Sequence, residues 1–149
     1  MLMVKKDITV DKVKKNFYLT LVVLITVLTI TYIYTRPHKV ARVTEGNLLI
    51  LDNGKKIFLT GIDASRQGHR FIRNMVVGKV VTLDYDPIQP DEKGLQYAYV
   101  YLADGTFVNA EIIRKGYARV DTRLPFAYSS EFINCQMEAQ EDKRGLWSD

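Results

Sequence analysis

The segment Tyr97–Val120 reads YAYVYLADGTFVNAEIIRKGYARV, and its reading decides the fold. Tyr97, Tyr99 and Tyr101 alternate with Ala98, Val100 and Leu102, the period-two mixture of aromatic and aliphatic residues that packs well on a pleated strand. Asp104-Gly105 marks a tight turn, because glycine accepts the positive φ that other residues resist. Phe107 and Val108 add an extended step. Asn109 is the candidate N-cap of a short helix, Ile112 and Ile113 form its apolar side, and Gly116 stops it. Strand, turn, cap, helix and stop agree with one another, so the segment is a scaffold.

Working outward, Asp121–Ala127 is irregular, and Ser130 is expected to cap a last helix running to about Lys143. Tyr128, Phe132, Cys135 and Ala139 share one side of that helix, and Trp147 in Gly145-Leu146-Trp147 is expected to anchor in the core. Upstream, Lys39–Thr44, Leu48–Leu51 and Lys56–Ile62 read as strands, parted by Glu45-Gly46-Asn47 and by the hairpin signal Asp52-Asn53-Gly54. Asp63–Val77 reads as a helix with Phe71, Ile72, Met75 and Val76 on its apolar side, and Gly78 ends it. Val80–Tyr85 is a further strand, and Asp86–Gly94 is a polar loop expected to be solvated. Strands with inserted and appended helices make an α+β domain built as a small β-barrel.

Phe17–Tyr34 (FYLTLVVLITVLTITYIY) carries no charge. As a helix it spans about 27 Å, close to the roughly 30 Å of a bilayer's hydrocarbon core. Aromatic residues sit at both ends, and Tyr34-Thr35-Arg36-Pro37 offers no small-x-small cleavage site. The chain therefore divides into a basic segment at 1–16, a single membrane span at 17–35 and a domain at 36–149. Five lysines precede the span, which places the N-terminus on the cytoplasmic or matrix side and the domain opposite, in a periplasmic, extracellular or intermembrane space.

The net charge of +4 invites a nucleic-acid reading, but residues 1–36 carry all of it. The domain beyond holds 15 basic and 15 acidic residues and has no bulk basic footprint. Cys135 is the one cysteine, on an apolar helix side, so it forms no intrachain disulfide and reads as a small buried hydrophobe. His38 and His69 lack ligand spacing, so neither a metal site nor any other cofactor is expected. Arg66, His69, Arg70 and Arg73 fall at i, i+3, i+4 and i+7 and would share one helix face. That face is either solvated or a dock for an acidic partner, lipid headgroups or nucleic acid. The tyrosine-rich strand could stack bases, although packing accounts for much of it.

Gly61-Ile62-Asp63, GKVV at 78–81, AYVYLADGTFVNAEIIRKGYARV at 98–120 and Gly145-Leu146-Trp147 together resemble the staphylococcal, thermonuclease-like nuclease family over about residues 38–148. The resemblance implies a five-stranded barrel of the oligonucleotide/oligosaccharide-binding type with about three helices, here preceded by one transmembrane helix. It also implies a calcium-dependent phosphodiesterase with two carboxylates and a backbone carbonyl on the ion, a glutamate base and two arginines on the phosphate. A hard cation takes oxygen ligands, and a developing phosphorane charge takes guanidinium. Set against that pattern, Glu45 keeps a carboxylate while Asn47 is a neutral replacement of an ion ligand. Asp63 survives, Arg66 replaces the base, and Phe58 and Leu95 replace the arginines. These departures imply a catalytically inactive pseudo-nuclease, retained as a structural or accessory subunit of a bacterial or mitochondrial inner-membrane complex and contacting other membrane subunits and lipid. Two alternatives are a non-cleaving nucleic-acid binder on the 66–73 face and a membrane-bound nuclease whose reorganised site uses Glu45, Asp63 or Asp91.

Overall fold

The computed structural model describes the chain apart from residues 1, 35–36, 45–46, 90–94 and 149, with side chains undescribed also at 2–11 and 33–34. The chain separates into two compact units, 1–36 and 37–149. In the first, α1 spans Leu2–Tyr34, and its segment Lys12–Tyr32 is long and apolar enough to cross a membrane. The hydroxyls of Thr20, Thr26, Thr29 and Thr31 each donate to a carbonyl three or four residues back on their own helix. That internal pairing suits a polar side chain to lipid, where an unpaired hydroxyl is costly.

The second unit is built from β1 (His38–Val43), β2 (Leu48–Leu51), β3 (Lys56–Leu59), β4 (Ile62–Ala64), α2 (Arg66–Val76), β5 (Val80–Tyr85), β6 (Leu95–Leu102), α3 (Val108–Arg114), β7 (Ala118–Val120) and α4 (Ser129–Glu141), with a 3-10 turn at Gly145–Trp147. Strands close in the order β1-β2-β3-β6-β5 into a barrel, with β5 returning to β1. The β3–β6 pair is parallel; the others are antiparallel. β5 follows strict alternation, Val81 and Leu83 inward and Val80, Thr82 and Asp84 outward. A register shift between Val40 and Arg42 breaks that alternation in β1, so Val40 and Val43 both reach the core. In β6, Ala98, Tyr99 and Val100 are buried in succession, since α3 and α4 cover the face turned away from the barrel.

Several local readings are corrected. The helix expected from Asp63 begins at Arg66, because Ile62–Ala64 pairs instead with Ala118–Val120 in a separate two-stranded sheet. Three-residue strands are too short for a period-two pattern to register. Ser65 is the true cap: its hydroxyl accepts from Gly68 N at 3.0 Å and donates to Tyr117 O at 3.0 Å. Asn109 does not cap α3. It is fully buried, accepts from Val100 N at 2.9 Å, and donates to Thr60 O at 3.1 Å and Ala98 O at 3.3 Å. A buried amide fastening three backbone segments outweighs a cap at a surface end. The last helix starts at Ser129 with no side-chain cap, although Phe132, Cys135 and Ala139 are buried as expected. Trp147 is half-buried rather than a core anchor, with the Arg119 guanidinium 5.4 Å above its ring. Asp86 is not solvated: it is 5% exposed.

Candidate functional site

The site forms where β3 turns into β4. Gly61 has φ +71°, and a Cβ there would meet the Phe126 ring at 2.7 Å and Phe132 at 3.0 Å, so the turn lies flush on aromatic rings. Asp121 N donates to Gly61 O at 3.0 Å, which draws the loop after β7 against the same turn. Between them lies a pocket of about 320 Å³ lined by Asn47, Leu59, Gly61, Ile62, Gln89, Tyr97, Asp121, Arg123 and Leu124.

Asn47 is the first of the family positions in it. Its Nδ2 donates to Leu59 O at 2.9 Å and Ile62 O at 2.8 Å, so the amide serves as a clasp between β2, β3 and β4. Phe58, where the resemblance implies an arginine, pairs in register with Tyr97 of β6. The two rings stack with centroids 5.5 Å apart and planes 21° from parallel. Leu95 opens β6 opposite Lys56 and is half-buried. Glu45, and Asp91 with it, lies outside the described residues.

Asp63 is exposed on β4, where its cross-strand partner is Arg119 of β7. Together with Ala64, Ser65 and Leu146 they line a second pocket of about 280 Å³. Arg66 is exposed in the first turn of α2. Of the calcium set implied by the resemblance, Asp63 is exposed on β4, Glu45 lies outside the described residues, and Asn47 commits its Nδ2 to two carbonyls. Among the described residues no three His, Cys, Asp or Glu side chains group closely enough to hold a metal ion.

Two functional groups escaped the reading of the sequence. Arg123 sits on the pocket rim, and the Asp121 carboxylate receives its Nε at 2.9 Å and its Nη2 at 2.6 Å. Backbone Arg123 N closes on the same carboxylate at 3.1 Å. Hydrogen bonding to Arg123 holds the Asp121 carboxyl below its ordinary range, against the opposing effect of partial burial. Arg119 faces Asp63 across the β4–β7 pair with its guanidinium over the Trp147 ring, and Arg123 lies on the loop that follows β7. The only signal for them was the run Arg119-Val120-Asp121-Thr122-Arg123, which means nothing until β7 is known to pair with β4.

The remaining candidates fall elsewhere. Arg66, Arg70 and Arg73 are exposed, but His69 is half-buried with its Nδ1 enclosed and unpartnered among the described residues, so the basic face is interrupted. Cys135 is buried and accepts from Arg114 Nη2 at 3.1 Å; burial pushes its thiol upward, away from nucleophile behaviour. Tyr99 is enclosed and cannot stack a base, whereas Tyr97 and Tyr101 are half-buried.

A family model described as staphylococcal nuclease homologue matches residues 56–149. Two Escherichia coli proteins, both named as uncharacterized endonucleases, are 34% identical to this chain over 127 residues, covering 74% of it and 76% of their own length. A Schizosaccharomyces pombe protein named as staphylococcal nuclease domain-containing is 30% identical over 90 residues, or 55% of this chain and 10% of its own. These findings overturn the expectation of a pseudo-nuclease: relatives matching 74% of the chain are named endonucleases, and the nuclease family model covers residues 56–149. That expectation compared residues at fixed positions, a comparison blind to charged groups arriving from β7 and the loop beyond it.

Proposed function

Because the chain belongs to the staphylococcal nuclease homologue family, we propose that it is a membrane-tethered phosphodiesterase acting on nucleic acid beside β4. The observation that carries this reading is the placement of Asp63 opposite Arg119, on a domain similar to proteins named endonucleases. In the proposed step, Asp63 takes a proton from a water as its oxygen bonds to phosphorus, and the ester P–O bond to the leaving oxygen breaks. That oxygen is protonated from solvent. Arg119 and Arg123 offset the negative charge that builds on the phosphoryl oxygens.

The full chain, purified in nonionic detergent and given end-labelled single- and double-stranded DNA and RNA, should cleave at least one of them. Asp63→Asn should slow cleavage by about a hundredfold or more. Failure of the wild-type chain to cut any of the four, or equal rates for Asp63→Asn, would reject the reading.

The membrane side is part of the same proposal. Lysine excess before the span supports a domain held on the side away from the N-terminus. In a bacterial inner membrane the domain should then be digested by protease added from the periplasmic face. Protection there would reverse the orientation. The internally paired threonines of α1 support a tether that lies in lipid without needing another helix.

A further inference from the structure

The turn that joins α2 to β5, Val77-Gly78-Lys79-Val80, is exposed at all four residues, with Val77 at 38% and Val80 at 47%. Gly78 has φ +77°, and a Cβ there would meet nothing within 4 Å, so the turn is open on that side. Arg66, Arg70, Arg73 and Val77 follow at i, i+4, i+7 and i+11, and Val77 N still bonds Arg73 O at 3.1 Å. They form one line along the exposed side of α2, away from buried Gly68, Ile72 and Val76. The segment 64–83 holds Arg66, Arg70, Arg73 and Lys79 and no acidic residue, although residues 37–149 are neutral in sum. Among the described residues none of these four cations is in an ion pair.

The start of β1 lies against the same turn. Gly78 N donates to Val40 O at 2.8 Å, Val40 N donates to Lys79 O at 3.0 Å, and Lys39 is the register partner of Val80. The chain enters the domain here, at His38, four residues after Tyr34 closes α1. Two exposed valines beside unpaired cations match the headgroup layer of an anionic bilayer, which offers phosphate to guanidinium and an acyl boundary to aliphatic side chains. A nucleic-acid backbone would use the arginines but not the valines.

We propose that the arginine line of α2 and the α2–β5 turn dock the domain on anionic lipid, the four cations at the phosphates and Val77 and Val80 at the acyl boundary. The inference rests on the reading of α1 as a tether in a bilayer and is independent of the chemistry beside β4.

The test uses the full chain in vesicles of phosphatidylcholine alone and of phosphatidylcholine mixed with phosphatidylglycerol. The polarity-sensitive fluorophore NBD is attached at Val77→Cys; Cys135 is buried and does not compete for the label. Emission should brighten and shift to the blue in the mixed vesicles, and the change should reverse in high salt. NBD at Met137→Cys, on the exposed side of α4, should not respond. The combined Arg66→Gln, Arg70→Gln and Arg73→Gln variant should melt as wild type does and lower the docked-to-free ratio by roughly a hundredfold, about fivefold for each charge removed. Equal emission at Val77→Cys in the two vesicle types, or a triple variant that docks as wild type does, would overturn the proposal and leave the tether standing. A response to a single-stranded oligonucleotide but not to phosphatidylglycerol would also overturn it, giving the face to nucleic acid. If alkaline carbonate strips the chain from the vesicles, the tether fails and the docking falls with it.

Discussion

The Tyr99 hydroxyl donates to the carboxylate of Asp86, and this one bond ties β6 to both loops that frame the pocket. Asp86 Oδ1 accepts from Ile88 N at 2.7 Å and Gln89 N at 3.2 Å, turning the start of the β5–β6 loop. Ala127 N reaches the Tyr99 hydroxyl at 3.0 Å, and Gln89 Nε2 reaches Pro125 O at 3.4 Å, so the loop after β7 hangs from the same point. Asp86→Ala would orphan several N–H donors at once, at a cost of about 2–4 kcal/mol. Tyr99→Phe, which removes one bond and keeps the ring, should cost about 1–2 kcal/mol. Thermal melts of the full chain check the order; equal losses would mean that the single Tyr99–Asp86 bond accounts for the whole effect.

Alkali should loosen the domain before it reaches the lysines. Burial raises the Tyr99 hydroxyl far above its ordinary value, and the Asp86 hydrogen bond adds to this. Burial likewise raises Tyr101, helped by its hydrogen bond with Tyr128. The unfolded chain releases these protons near pH 10 while the folded chain holds them. Their stabilisation is therefore complete below about pH 10 and declines above it. Melting temperature measured against pH should fall from that point, less steeply in Tyr101→Phe. A slope identical to wild type in that variant would contradict the assignment.

Asn109→Ala removes three hydrogen bonds that join α3, β6 and the end of β3. Orphaning Val100 N and Thr60 O inside the core, while Ala98 O keeps its bond from Thr60 N, should cost about 2–4 kcal/mol. Asn109→Asp should be no better, since a carboxylate cannot donate to Thr60 O and Ala98 O. Denaturant midpoints compare the two, and a mild aspartate variant would be the surprise.

Gly68→Ala sets two effects against each other. Alanine favours a helix over glycine by about 1 kcal/mol. Its Cβ, however, would lie 2.2 Å from Tyr117 O, forcing α2 away from the approach to β7. The clash involves backbone and cannot be relieved by a rotamer, so the net effect should be destabilising by about 1–3 kcal/mol. A higher melting temperature would show that α2 slides without cost.

The fold was legible because its signals are local and redundant. The alternation in Val80–Tyr85, the Asp52-Asn53-Gly54 turn and the apolar side of Phe132, Cys135 and Ala139 each depend on a few adjacent residues. Asn109 was misread because a cap and a buried clasp use the same side-chain chemistry, and burial decides between them. The site was legible in part. Asn47 and Phe58 were found by position, yet their roles as clasp and stack follow from partners 12 and 39 residues away. Arg119, Asp121 and Arg123 carried no local pattern at all. Their meaning comes from the register Asp63↔Arg119, which brings residues more than fifty positions apart onto one short sheet.

The parallel pairing of Lys56–Leu59 with Leu95–Ala98 also sets an order of assembly. A hairpin can zip as soon as its turn exists, but this pair must wait for the intervening α2 and β5, and Asn109 cannot fasten it until later still. Non-local closure of this kind is slow compared with helix formation. Synthesis should therefore present the barrel strands as an open sheet until β6 arrives. In that interval the unpaired edges of β3 and β6 are what a chaperone would have to shield.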